Sequence, residues 1–98
     1  MYTIKFVEQS LEDLQRLRVV DRGRILNAVE EKLRLEPARQ DRRRKVLVGL
    51  VPPWDQVRPV WQLRVGEFRV FYDVDEEQEA VIVRAVRRKG RKMTEEIL

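Results

Sequence analysis

Ninety-eight residues are enough for one small domain with one core, and they leave no room for a second. The chain has neither cysteine nor histidine, which excludes disulfides, Cys-based zinc sites and Cys nucleophiles, and removes the commonest general base and metal ligand. Its net charge is +4 with 39% charged residues, well above the usual quarter. No apolar run reaches membrane-spanning length, and the opening MYTIKFVEQS has no signal-peptide pattern. We therefore expect a soluble, cytoplasmic domain with no membrane partner.

The first element is read from YTIKFV, whose alternation and β-formers predict a strand over 2–7. Ser10 and Asp13 resemble a capping box, and Leu11, Leu14 and Leu17 mark one face of a short helix from about 11 to 18. After the break VVDRG, Asp21 is the expected cap of a second helix that ends before Pro37, with Ile25, Val29 and Leu33 as its apolar stripe and Leu26 and Ala28 widening it. KVLVGLV is a short strand candidate that stops at Pro52–Pro53, and WDQVRP reads as a loop.

Further strands are expected at about 60–65, 67–74 and 80–87, joined by Gly66 and by the acidic turn DVDEEQE. Thr94 would cap a short terminal helix. The whole chain, 1–98, is then a single α+β domain. A helical hairpin packs on one face of a mainly antiparallel sheet of about four strands, and a short C-terminal helix closes it. The core draws on Ile4, Phe6, Leu14, Leu17, Ile25, Val29, Leu33, Trp61, Leu63, Val65, Phe68, Val70, Val81 and Val83.

The charge is unevenly placed. Residues 1–41 balance, whereas 42–98 hold thirteen basic against nine acidic side chains. RRRK at 42–45 and RAVRRKGRK at 84–92 concentrate the excess, an asymmetry that favours a polyanionic partner over a merely solvated face. Between the clusters, WQLRVGEFRVFYDV alternates so that Trp61, Leu63, Val65, Phe68, Val70 and Tyr72 share one face. Gln62, Arg64, Arg69 and Phe71 then share the other, which the last strand supplements with Arg84 or Arg87. Guanidiniums with an aromatic among them suit a phosphate backbone and unstacked bases. The alternative is that these arginines pair with Asp73, Glu67 or the terminal glutamates.

The block from Trp61 to Tyr72, followed by the acidic turn, the apolar strand AVIVRAV and the basic RRKGRK, resembles the RelE/ParE superfamily of bacterial toxins over essentially the whole chain. The resemblance implies a small toxin neutralised by a cognate antitoxin protein encoded beside it. RelE-type members act on the ribosome as metal-independent mRNA endoribonucleases, without cofactor, whereas ParE-type members block DNA gyrase. A catalytically decayed RNA-binding relative is a third reading. Carried over by position, Arg64 and Arg69 fall where the ribonuclease type holds and activates the scissile phosphate, and Lys89 falls close to the family's arginine after the last strand, with Arg88 and Arg91 as alternatives. Gln62, Arg84, Arg87, Arg88, Arg91 and Lys92 fall along the expected nucleic-acid path. Where ribonuclease members carry a C-terminal tyrosine this chain reads MTEEIL, so Glu95 or a neighbour stands in its place.

RNA cleavage by its own 2′-hydroxyl needs a proton acceptor, a donor for the leaving 5′-oxygen, and positive charge on the transition state. Arginines supply the charge but do not deprotonate in proteins. The proton acceptor is left among Lys89, Lys92, Tyr72, Glu67 and Glu95. A lysine serves if neighbouring positive charge lowers its pKa.

Overall fold

The computed structural model describes residues 1–54 and 59–98; the side chain of Glu95 and most of the expected loop WDQVRP lie outside the described residues. The elements run β1 (Thr3–Phe6), α1 (Glu8–Gln15), α2 (Val19–Leu33), β2 (Arg44–Leu47), β3 (Val60–Val65), β4 (Phe68–Asp75), β5 (Ala80–Arg88) and α3 (Thr94–Ile97). The sheet order is β1-β5-β4-β3-β2. β1 pairs parallel with β5, and the remaining pairs are antiparallel. The sheet thus has five strands where about four were expected, because the short candidate in KVLVGLV does form an edge strand. It ends before Gly49, whose φ of 81° turns the chain away.

The helical hairpin packs where the apolar alternation placed it. Leu14, Ile25, Val29 and Leu33 meet Trp61, Leu63, Val65, Phe68, Val70, Tyr72, Val81 and Val83 in one cluster, with Ile4, Phe6 and Leu17 packed against it. Tyr72 is fully buried and donates its hydroxyl to the Pro37 carbonyl at 2.7 Å. Arg22 ties the hairpin together, donating to the Leu14 and Leu17 carbonyls at 3.2 Å each.

The helix starts differ from the expected caps. Val7, Arg18 and Met93 are the N-cap residues, and none makes a side-chain capping bond. Ser10 lies inside α1, fully buried, and its hydroxyl donates back to the Val7 carbonyl at 2.8 Å. Asp21 falls in the first turn of α2, where its charge suits the positive helix end. Thr94 opens α3 and donates its hydroxyl to Gln62 Oε1 at 3.4 Å. Leu11 is 46% exposed, so the buried face of α1 is Ser10, Asp13 and Leu14 instead. Asp13 accepts from the Val86 N–H at 3.0 Å and from Arg87 at 2.5 Å, fastening α1 to β5.

The second face of the sheet is not an open platform. Leu47, Val60, Phe71 and Ala85 form a second cluster with Ile97 of α3, and Leu50, Trp54 and Leu98 pack on it. Phe71, expected beside the arginines as a stacking surface, is 0% exposed with the Trp54 ring centroid 5.8 Å away. Covering it removes a whole aromatic side chain from water, worth roughly 2–3 kcal/mol. No helix among the described residues is long and apolar enough to cross a membrane.

A candidate nucleic-acid interface

The β3–β4 hairpin turns through Gly66 at φ 58°, in the left-handed region that other L-residues enter only with strain. Its register sets Arg64 opposite Arg69, and β5 sets Arg87 opposite Arg69. Two further segments are fastened to this hairpin by backbone bonds. The Lys89 N–H donates to the Glu67 carbonyl at 2.7 Å, and the Arg64 N–H donates to the Arg43 carbonyl at 2.6 Å. Between them lies a groove of about 160 Å³ whose walls include Arg64, Arg69, Lys89 and Gln62. Arg42, Arg43, Arg44, Lys45 and Asp41 complete them from the segment that leads into β2.

Four of the residues predicted from sequence therefore come together. Arg64 is exposed, and among the described residues it has no carboxylate within 4 Å. Arg69 donates to the Gly66 and Phe68 carbonyls at 2.9 Å each, which holds its guanidinium along its own turn. Burial, and then the neighbouring charge of Arg64, lower its pKa from the usual value. Gln62 is only 4% exposed and is engaged by Thr94, so it is a fixed wall with little free reach.

The other basic residues named from sequence divide into two groups. Arg84 pairs with fully buried Asp73 at 2.8 Å, Arg87 with Asp13, and Arg88 with Glu67 while lying 4.7 Å over the Phe68 ring. The pairing alternative thus holds for Arg84, and Arg87 is taken up by a carboxylate that alternative did not include. A register shift explains Arg84: Phe71 faces Ala85 and Tyr72 faces Val83, leaving Arg84 as the extra residue of a bulge beside Asp73. Arg91 and Lys92 follow Gly90, exposed and outside the groove walls. Sequence reasoning did not assign Arg42, Arg43 and Lys45 to the site. The RRRK cluster was the signal that could have placed them there.

The groove's chemistry is now narrower. Its one carboxylate among the described residues is Asp41. Hydrogen bonds from the Arg44 guanidinium first, and then from the Arg43 and Arg44 N–H groups, hold this carboxyl well below the usual range. Burial pushes the Tyr72 hydroxyl up, and its position under the helices takes it away from a bound polyanion. Glu67 lies at the turn with Arg88. Beside Asp41, Lys45 and Lys89 are the side chains lining the groove, among the described residues, that could exchange a proton. Among those residues no group of three carboxylate, cysteine or histidine ligands is placed to hold a metal ion.

The fold is that of known toxins. A chain of the archaeal RelE–RelB complex from Pyrococcus horikoshii OT3 aligns at 23% identity and TM-score 0.71, over 92% of this chain and 97% of that one. The toxin–antitoxin complex RelBE2 from Mycobacterium tuberculosis aligns at 23% and 0.66, over 87% and 94%. The isolated E. coli RelE toxin aligns at 22% and 0.66, over 88% and 82%. No curated protein matches the sequence. The family model for the ParE toxin of type II toxin–antitoxin systems, parDE, matches residues 4–93, so this chain belongs to that toxin family, within the RelE/ParE superfamily.

Proposed function

We propose that this toxin is a ribosome-dependent mRNA endoribonuclease that inhibits translation in the cytoplasm. The observation that carries the reading is the facing pair Arg64 and Arg69, beside Lys89, in a groove whose one described carboxylate is already engaged. In this reaction the 2′-oxygen forms a bond to phosphorus and the bond to the 5′-oxygen breaks. The proton lost by the 2′-hydroxyl is matched by one delivered to the leaving oxygen. Arg64 and Arg69 stabilise the charge that develops on the phosphoryl oxygens. Lys89 acts as proton acceptor or phosphate clamp, and Arg91 and Lys92 draw the strand in. Arg84, Arg87 and Arg88 support the site through their ion pairs.

The partner that restrains it is a cognate antitoxin, by analogy with the complexes solved for the archaeal and mycobacterial relatives. An acidic antitoxin segment suits the basic groove. The deciding experiment adds purified protein to a translation system and follows the message. Shortened mRNA supports the ribonuclease. A second reading, a gyrase inhibitor that cleaves nothing, is favoured by the family model and by a groove whose proton-exchanging groups, beside the engaged Asp41, are lysines among the described residues. It predicts intact mRNA and inhibited DNA supercoiling.

A further inference from the structure

We propose that Arg42 and Arg43 form a second phosphate subsite, which grips single-stranded RNA beside the scissile position. The inference rests on the ribonucleic-acid reading above and extends it to how much of the strand is held. A second cleft, of about 290 Å³, lies between Arg42, Arg43, Arg64 and Gly66. It shares Arg42, Arg43 and Arg64 with the central groove, so the two are continuous. Both arginines are exposed, and among the described residues neither has a carboxylate within 4 Å.

Charge alone would make a solvated surface. What distinguishes this segment is that its backbone is fixed from both sides. Asp41 Oδ1 accepts from the N–H groups of Arg43 at 2.9 Å and Arg44 at 2.8 Å, closing a tight turn around Arg42. The Arg43 carbonyl is bonded to β3 at Arg64. The buried Arg44 guanidinium anchors the segment to the end of α2, donating to the Lys32 and Glu36 carbonyls at 2.8 Å each. Two guanidiniums therefore project from a preorganised shelf, which reduces the ordering cost of binding. Arg24, paired with Asp21 at 3.6 Å, stands behind the turn at the edge of this cleft. Its guanidinium lies against Gly66, 2.5 Å from where a Cβ would stand. A strand whose reacting phosphate sits between Arg64 and Arg69 can thus place its next phosphates on this shelf.

The test compares wild type with the double variant Arg42→Ala/Arg43→Ala, using uncleavable 2′-O-methyl oligoribonucleotides of two and eight residues across a salt series. The substituted side chains make no described ion pair, so the melting temperature should be retained. Each phosphate contact to a single strand contributes about 0.7 to the slope of log K against log salt. The octamer slope should then fall by about 1.4, while the slope for the dinucleotide, with its one internucleotide phosphate, should fall by no more than about half of that. An unaltered octamer slope overturns the proposal. So does equal weakening of both oligomers, which would merge the shelf with the central site. If wild type binds neither oligomer at low salt, the ribonucleic-acid reading itself fails, and the subsite with it.

Discussion

Arg64 and Arg69 stand directly opposite each other across β3 and β4, two like charges on paired strands. Like charges in that position destabilise a sheet, and burial first, then the charge of Arg64, lower the pKa of Arg69. No carboxylate among the described residues relieves the repulsion. An arrangement that costs stability when empty gains it when an anion enters.

The first prediction follows directly. Sulfate or phosphate should raise the melting temperature above that in chloride of equal ionic strength. Arg64→Ala should abolish most of that rise while changing stability in chloride by about 0.5 kcal/mol or less, as exposed substitutions do. Thermal melts check both. A variant that melts far below wild type in chloride would mean that Arg64 supports the fold.

Arg69→Ala separates structure from function more sharply. It removes two hydrogen bonds to carbonyls of the turn, at a cost of about 1–2 kcal/mol. One positioned cation in a transition state is worth about 3–4 kcal/mol, some hundreds-fold in rate. Growth inhibition on induction should therefore be lost while the protein still melts cooperatively. Retained toxicity would remove Arg69 from the reaction.

The anchor of the 41–44 segment predicts a pH dependence. The folded carboxyl of Asp41 ionises below its ordinary value, near 3.9 in an unfolded chain. Between those values the unfolded state binds more protons, so stability rises with pH. The contribution is fully present above about pH 4 and is lost as pH falls through the folded value. Asp41→Asn should flatten this acid limb in denaturant melts between pH 2 and pH 7. Arg44→Met should lower stability at neutral pH, because it removes the guanidinium that pairs with Asp41 and leaves the Lys32 and Glu36 carbonyls without their donor.

The parts of the fold that were legible in sequence are those with local punctuation. Alternation on either side of Gly66 shows which side chains of β3 and β4 face α1 and α2, and hence that Arg64 and Arg69 share the other face. The caps were less legible, because Ser10 and Thr94 spend their hydroxyls on Val7 and Gln62. The fate of Phe71 depends on Trp54 and Ile97, distant in sequence and partly supplied by a four-residue helix with little periodicity of its own. Likewise, Arg87 is taken up by Asp13, 74 residues away. Spacing along the chain carries no trace of such pairs, so the basic cluster at 84–92 read as one surface, whereas the fold divides it into paired arginines and Lys89 at the groove.

Lys89 is the residue on which the chemistry turns, and two substitutions distinguish its possible roles. Its backbone is held by the bond to Glu67 and by Lys92, whose N–H donates to the Lys89 carbonyl at 3.0 Å, so changing the side chain leaves the path of the chain intact. If Lys89 takes the proton from the 2′-hydroxyl, Lys89→Ala should slow single-turnover mRNA cleavage by about a hundred-fold or more. Ribosome binding should fall far less. Lys89→Arg keeps the positive charge but cannot exchange a proton near neutral pH. Rescue by arginine identifies a phosphate clamp, and failure of rescue identifies the proton acceptor. Cleavage at the wild-type rate by both variants would exclude Lys89 from either role and leave Lys45 as the remaining described groove lysine to carry the proton.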